Sequence, residues 1–553
     1  MRAVPIAVRA IGPLVGIADV LLGCAAAGGA SDGSADSGAE VSREASDGSS
    51  AADALAENDT QGDEGGLRDG ATNPEEASGF NAESDSSSPS DAGLWASVSE
   101  SGPPAWSGPA VSGSVTVSQT TVAGHLGDGF VGLSYEKSHL TDQYFTGSND
   151  ALIAMCRLLG PSVVRIGGNS VDETEWQASA APAAVSATSS SIGSADVDGL
   201  ADFLQATGWK VIYGLNLKTA TPQTDAAEAT YAAGRLGTSL LAFEIGNEPD
   251  LYGQTYAVWS ANWSAVATAV RGALPGVPLA GPATAGGGVS EAVEFAHDEA
   301  SRLALLTQHY YRGSGDTTNP TDVVMSQLLS PDPGLVSTLK ELSTAATSNN
   351  LPDGLRLAEA NSFFAHGAPG VSNAFGSALW AIDFLFDNAQ NGSGGVNFHG
   401  GGAGQDGPSP FLYTPIDEMN GVVTGAAPIF YGMLLVAAGG TGDVLATMAE
   451  ASDLNFTAYA ISLADGSTNV VLDNKDTTNA VQASINIGKA ASAASCVFLD
   501  GPSLLATSGV TFAGASISPL GAWVPAPAWT LPVTGNVVSI LVPPASGALV
   551  HVR

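Results

Sequence analysis

Apolar residues recur with a regular rhythm across the middle of the chain. Short apolar runs stand at Phe130–Glu136, Ser162–Gly167, Lys210–Leu217, Leu240–Asn247, Pro278–Pro282, Leu303–Tyr310, Leu355–Asn361 and Gly395–His399. Runs of this length, apolar at most positions, fit strands buried on both faces. Between them lie Ala/Leu-rich stretches with spaced apolar residues, at Asp150–Leu159, Asp196–Ala206, Thr224–Gly237, Thr255–Ala273 and Ser372–Asn388. These read as helices, and their Asp, Ser or Thr starts are suitable N-caps. Strands alternating with helices in this way predict an α/β fold, a (β/α)8 TIM barrel over residues 106–430.

After about Tyr431 the pattern changes. Thr457–Leu463, Asn469–Leu472, Ala480–Ile487, Cys496–Phe498, Thr511–Phe512 and Val537–Val542 are short strand-like runs separated by turn pairs such as Asp465-Gly466, Asp500-Gly501 and Gly535-Asn536. They predict a C-terminal β-sandwich over 431–553. The alternation Val115-Thr116-Val117-Ser118 suits the same sandwich, so the first strand, within 112–118, is expected to join it rather than the barrel.

The N-terminal part has neither rhythm. Arg2 and Arg9 precede an apolar run from Ala10 that ends Leu21-Leu22-Gly23-Cys24. A basic start, an apolar stretch and small residues at the cut describe an export signal over 1–24, too short to span a membrane. The ending is similar to a bacterial lipobox, which would make Cys24 the lipidated residue; Asp19 and Leu22 depart from that pattern. Residues 25–105 are mostly Ser, Gly, Ala, Asp and Glu and are expected to be a disordered acidic linker. The expected location is therefore outside the cell or on its surface, with a lipid anchor as the sole membrane contact.

Charge narrows the partners. The 553-residue chain carries a formal net charge of −37. Phosphate backbones and anionic lipid surfaces would repel it, so nucleic acid is not an expected partner. Three cysteines are too few for a disulfide framework, and Cys156 and Cys496 read as buried free thiols. No CxxC, HExxH or clustered His spacing occurs, so neither a metal nor a cofactor is expected.

The candidate chemistry sits where two strands stop. Phe243-Glu244-Ile245-Gly246-Asn247-Glu248-Pro249-Asp250 is an apolar strand that ends at a carboxylate, since Pro249 cannot continue a ladder. Leu355-Arg356-Leu357-Ala358-Glu359-Ala360-Asn361-Ser362 is a second such run. Counting strands puts Glu248 at the end of the fourth and Glu359 at the end of the seventh. Barrel chemistry lies at the strands' carboxyl ends. Two carboxylates meeting there suit glycosidic-bond hydrolysis, one to protonate the leaving oxygen and one to attack or to activate water. Arg165 points into the barrel if its strand alternates, as a buried ion pair or a substrate contact.

With these residues in view, the barrel resembles glycoside hydrolase family 79, the β-glucuronidase and heparanase family. The matching stretches are Phe130–Glu136, Val164–Ser170 with Asp172 and Trp176, Phe243–Pro249, His309-Tyr310-Tyr311, Leu357–Ser362 and Gly395–His399. Asn-Glu-Pro alone is widespread among retaining glycosidases; the ordered set is specific. The resemblance implies an exo-acting, retaining β-glucuronidase whose partner is a glucuronide-bearing glycan. It makes Glu248 the general acid/base and Glu359 the nucleophile. Asn247 would bind the sugar 2-hydroxyl and Tyr311 would steady Glu359. Glu136, Asn169 and Asp172 would be hydroxyl ligands, and His399 and Tyr413 the wall that reads the uronic carboxylate. Phe363 and Phe364 stand where a polar group toward that carboxylate is expected. An endo-acting, heparanase-like enzyme would need a basic cleft, and only 18 Lys and Arg are available. Another retaining β-glycosidase of the same clan, and a non-catalytic glycan-binding surface lipoprotein, are the remaining readings.

Overall fold

The computed structural model describes residues 93–178, 191–401 and 411–553. The export signal, Cys24 and most of the acidic linker lie outside the described residues. Eight parallel strands close into a barrel: β1 Val131–Glu136, β2 Val163–Gly167, β3 Lys210–Leu215, β4 Leu240–Ile245, β5 Leu279–Thr284, β6 Leu303–Ser314, β7 Leu355–Phe364 and β8 Ser393–Gly400. Each pairs with its neighbours in chain order, and β8 returns to β1 with Phe398 opposite Leu133 and His399 opposite Ser134. This is the expected TIM barrel. β6 extends four residues and β7 three beyond the runs read from sequence, because Arg312, Ser314 and Ser362 break the apolar pattern without ending the ladder.

Helices α1 Asp150–Leu158, α2 Ser194–Thr207, α3 Pro222–Leu236, α4 Tyr256–Ala273, α5 Val289–Asp298, α6 Thr321–Leu328, α7 Pro333–Ser348, α8 Phe375–Gln390 and α9 Pro428–Ala438 surround the strands. The change of texture expected at Tyr431 falls inside α9. That helix is buried on nearly every side, through Ile429, Phe430, Met433, Leu434 and Leu435 among others, so it carries no one-sided stripe to announce it. It packs closely on α8: a Cβ on Gly432 would stand 2.1 Å from the Ala378 carbonyl oxygen.

The C-terminal strands belong to one twelve-stranded sheet with its own apolar core, which includes Val115, Leu472, Ile485, Val538 and Val550. The long strand Ala110–Leu126 lies within it, antiparallel to Gly442–Glu450 and parallel to Ala480–Asn486. The disorder expected up to residue 105 is corrected from Gly93 onward. Leu94 is buried, Trp95 stacks on His551 at 5.1 Å, and Val98–Ser99 pairs with Ala528 and Trp529. Two apolar side chains at the end of a polar stretch suffice to dock it.

Sheet and barrel are joined by a buried polar knot. Lys475 Nζ lies 2.8 Å from Asp473 on the sheet and 2.8 Å from Asp383 on α8, and donates to Thr457. Beside it Phe386 stacks on Tyr459 with ring centroids 4.1 Å apart. Cys156 and Cys496 are free and buried. Among the described residues no helix is long and apolar enough to cross a membrane.

Several buried acids give the fold a pH signature. Burial is the first cause that pushes the Asp172, Asp387 and Asp473 carboxyls up to about 7 and that of Asp225 to about 8. Each binds its proton more tightly folded than unfolded. Its contribution to stability is complete below about pH 4 and is lost as pH rises through 7 to 8. Glu136 and Glu359 are held low, so their contributions vanish only at more acidic pH. The thermal midpoint is therefore expected to be higher at pH 5 than at pH 8, and calorimetry showing it lower at pH 5 would contradict this burial pattern.

Candidate active site

Strand alternation decides which side chains enter the barrel mouth. Residues two apart share a face, so Ser134 and Glu136 on β1, His309 and Tyr311 on β6, and Glu359 and Asn361 on β7 come as pairs. A register shift between Gln308 and His309 lets His309 stand opposite Glu359 across the β6–β7 ladder. Beyond β4 the backbone turns sharply. Gly246 has φ 84°, and Glu248 is itself left-handed at φ 47°, ψ 53°, its amide donating to the Ala283 carbonyl at 2.8 Å. That turn aims the Glu248 side chain back over the barrel.

The centre of the site is Arg165, fully buried on β2. Its Nε donates to Glu244 at 2.6 Å, and its terminal nitrogens donate to Glu359 at 2.6 Å and Asn247 at 2.8 Å. The Glu359 carboxylate also accepts from the Tyr311 hydroxyl at 2.9 Å and lies 3.8 Å from His399 and 3.9 Å from His309. Burial alone would raise its pKa. His399, His309 and Arg165, with the Tyr311 hydroxyl, outweigh this and hold it far below the usual carboxylate range. Tyr311 is the converse: burial and the Glu359 charge keep its phenol protonated and donating.

Glu248 has a different setting. It is half-buried and paired with His309 Nδ1 at 3.0 Å. One oxygen of Glu248 and one of Glu359 lie within 4.8 Å of each other. Asn247 links this pair to the next loop, donating to Asn169 at 3.1 Å. Glu136 accepts from the amides of Asn169 and Ser170 at 3.0 and 2.7 Å and stands 3.7 Å from His399. A side chain on Gly168, φ 68°, would overlap the Glu136 carboxylate. Burial lowers the His399 pKa, but Glu359 and Glu136 outweigh it and raise it, so the imidazole bridges two acids.

Of the residues named from sequence, Glu248, Glu359, Asn247, Asn169, Glu136, Tyr311 and His399 converge here. Tyr413 joins them, its ring 5.8 Å from Tyr311 and 6.2 Å from His399. Asp172 stands one step back: its carboxylate takes the Tyr252 hydroxyl at 2.5 Å and not the Asn169 side chain. Trp176 packs on Tyr231 at 5.5 Å and belongs to the core. Phe363 is core too, while Phe364 is 46 % exposed and edge-on to Tyr311. His309 and Glu244 were given no role from sequence, and Arg165 stood between a buried ion pair and a substrate contact. The period of two that puts His309 on the same face of β6 as Tyr311 is the signal that could have marked it. Arg165 is an ion pair to both Glu244 and Glu359; its partners lie 79 and 194 residues away, beyond any spacing argument.

Among the described residues, Glu248, His309 and Glu359 form the sole group with metal-ligating composition. Its chemistry does not call for a cation. The Glu359 oxygen facing the cluster already receives the Arg165 guanidinium, and Glu248 receives the imidazole.

The barrel and its opposed acid pair invite comparison with known proteins. No family model matches the chain. A β-glucuronidase of Aspergillus niger is 33 % identical over 99 residues, which is 17 % of this chain and 18 % of that protein. The chain thus matches about a fifth of that relative's length. In fold it is similar to a 4-O-α-L-rhamnosyl-β-D-glucuronidase from Fusarium oxysporum 12S, with TM-score 0.64 and 19 % identity over 82 % of this chain and 99 % of that one. It is also similar to a family 51 arabinofuranosidase from Xanthomonas axonopodis pv. citri, with TM-score 0.57 and 15 % identity over 80 % of this chain and all of that one. A family 44 xyloglucanase from Paenibacillus polymyxa gives 0.55 and 11 % over the same share of each. Barrel and trailing sheet are shared as one unit, and glucuronidases appear in both the sequence and the fold comparisons, as the motif resemblance implies.

Replacing Arg165 by Met should leave Glu244 and Glu359 as uncompensated buried charges and cost about 3–5 kcal/mol of stability. Adding Glu244→Gln should recover part of that loss. Urea denaturation measures both; an R165M variant as stable as the parent would mean that the guanidinium does not hold the site together.

Proposed function

We propose that this chain is a retaining, exo-acting β-glucuronidase that removes terminal β-linked glucuronic acid from glycans. The carrying observation is the opposition of Glu248 and Glu359 within 4.8 Å. Retaining glycosidases hold their carboxyls about 5–5.5 Å apart, whereas inverting ones need roughly 6.5–9.5 Å to admit a water. The shorter spacing supports direct attack by one of the two.

The unequal environments assign the roles. Glu359, ionised and steadied by Arg165 and Tyr311, attacks the anomeric carbon. Glu248 gives its proton to the glycosidic oxygen as that bond breaks, and the departing alcohol leaves a glycosyl ester on Glu359. Water then attacks the same carbon, losing its proton to Glu248, and Glu359 is released as carboxylate. Asn247, fixed between Arg165 and Asn169, is set to bind the 2-hydroxyl, a contact that strengthens as positive charge builds on the ring. His399 and Tyr413, with ring centroids 6.2 Å apart, form a wall suited to the sugar carboxylate. The glucuronidases among the similar proteins support that substrate class. We extend the reading to location: an exported protein held to the membrane by a lipid on Cys24.

Two experiments test this. Aryl β-glucuronide should be cleaved faster than the glucoside, galactoside, xyloside and arabinofuranoside, with the β-anomer seen first by NMR. Glu359→Gln should lower kcat by at least about 10⁴-fold on every substrate. Preference for a neutral sugar would overturn the uronate reading, and an α-anomer the retaining one. Labelled palmitate should enter the expressed protein and be lost on Cys24→Ser; labelling that persists would refute the anchor.

A further inference from the structure

Two residues beyond Glu248, Asp250 occupies a place that neither the mechanism nor the similar proteins assign. It sits on the one-turn helix Pro249–Leu251, which begins at the left-handed Glu248. Its side chain leaves the barrel mouth and crosses to the β5–α5 loop. Oδ1 accepts the Ala285 amide at 3.0 Å, and Oδ2 fills the space at Gly288, where an added Cβ would come within 2.7 Å of it. Gly288 is the residue before α5, so the carboxylate also faces a helix N-terminus. The receiving loop is itself braced: Gln308, the neighbour of His309, donates to the Ala285 carbonyl at 2.6 Å and bonds Thr284.

A left-handed conformation costs a non-glycine residue about 1–2 kcal/mol, so Glu248 keeps it only while the turn is held from outside. The holds are its own amide on Ala283 and the Asp250 carboxylate on Ala285. Both fasten the Glu248 turn to the end of β5, and His309 fastens the Glu248 side chain from β6. We propose that Asp250 is a positioning residue for the acid/base Glu248: it clamps the Glu248 turn onto the β5–α5 loop. The charged groups facing Asp250 are Glu248 and His309. Its carboxyl is pushed up to about 6, first by burial and further by Glu248, against the Ala285 hydrogen bond and His309.

This inference rests on the proposed glycosidase reading, and leaving-group chemistry separates the two. An activated aglycone such as 4-nitrophenol departs without a proton, whereas phenol or a sugar hydroxyl needs one. Asp250→Ala should lower kcat/KM by roughly 10- to 100-fold on the phenyl glycoside and by less than about threefold on the 4-nitrophenyl glycoside. Asp250→Asn keeps the acceptor for Ala285 but loses the charge. It should restore most of the phenyl activity, since the clamp needs the acceptor and not the charge. Equal losses on both aglycones, or no loss on either, would overturn the clamp. If D250A does not fold, a D250N variant whose kcat/KM falls more than about tenfold on both aglycones alike would overturn it. A parent protein that cleaves no aryl glycoside would instead defeat the glycosidase reading.

Discussion

The barrel mouth is organised by one buried cation. Arg165 donates to Glu244 on β4, Asn247 just beyond it and Glu359 on β7. Three of these four groups carry charge, and none would be stable in that interior alone. The guanidinium suits the task because its donors form a flat, rigid fork that can serve several oxygens at once. Barrel closure is therefore coupled to site assembly. The strands bearing Glu244 and Glu359 cannot separate from β2 without stranding a charge. The same contact that stabilises the fold fixes where the ionised carboxylate points.

From this follows the difference between the two acids. Glu359 lies in the plane of the barrel mouth, buried, and meets an arginine, a phenol and two imidazoles. Glu248 rides above it on a strained turn, half-exposed and in contact with a single imidazole. One acid is locked into its charged form by its neighbours, and the other is partly open to the cleft. Opposed carboxyls with unequal surroundings are the arrangement that divides acid from nucleophile.

Much of this was legible in the sequence, for physical reasons. Strands buried on both faces have no choice but to be apolar, so all eight runs stood out, and the two that ended in carboxylates pointed to the mouth. The place of Tyr311 beside Glu359 came from the motif resemblance, and the 2.9 Å hydrogen bond between them agrees with it. What could not be read was pairing at a distance. Arg165 looked ambiguous because its two acids come from strands four and seven, and only closure brings them within 2.6 Å. α9 was hidden for a different reason: a helix buried all round has no polar face to reveal its period. The docking of Leu94 and Trp95 was masked by the acidic, low-complexity composition that runs up to them.

The polar knot at the seam adds a constraint that the site alone does not show. α8 leads from β7 to β8, so Asp383 on α8 is tied by its chain neighbours to the strands carrying Glu359 and His399. Lys475 binds that same Asp383 to the sheet. Phe386, on the next exposure of the same helix, stacks on Tyr459 of the sheet. The trailing sheet thus holds one flank of the barrel in register from behind, opposite the side that Arg165 holds from within. A helix gripped at both faces cannot shift without disturbing the ladder between β7 and β8, and that ladder sets the 3.8 Å approach of His399 to Glu359. Such a coupling gives a reason for barrel and sheet to recur together, as they do in the similar structures: the sheet is a buttress for the strands that carry the charge pair, whether or not it touches a glycan.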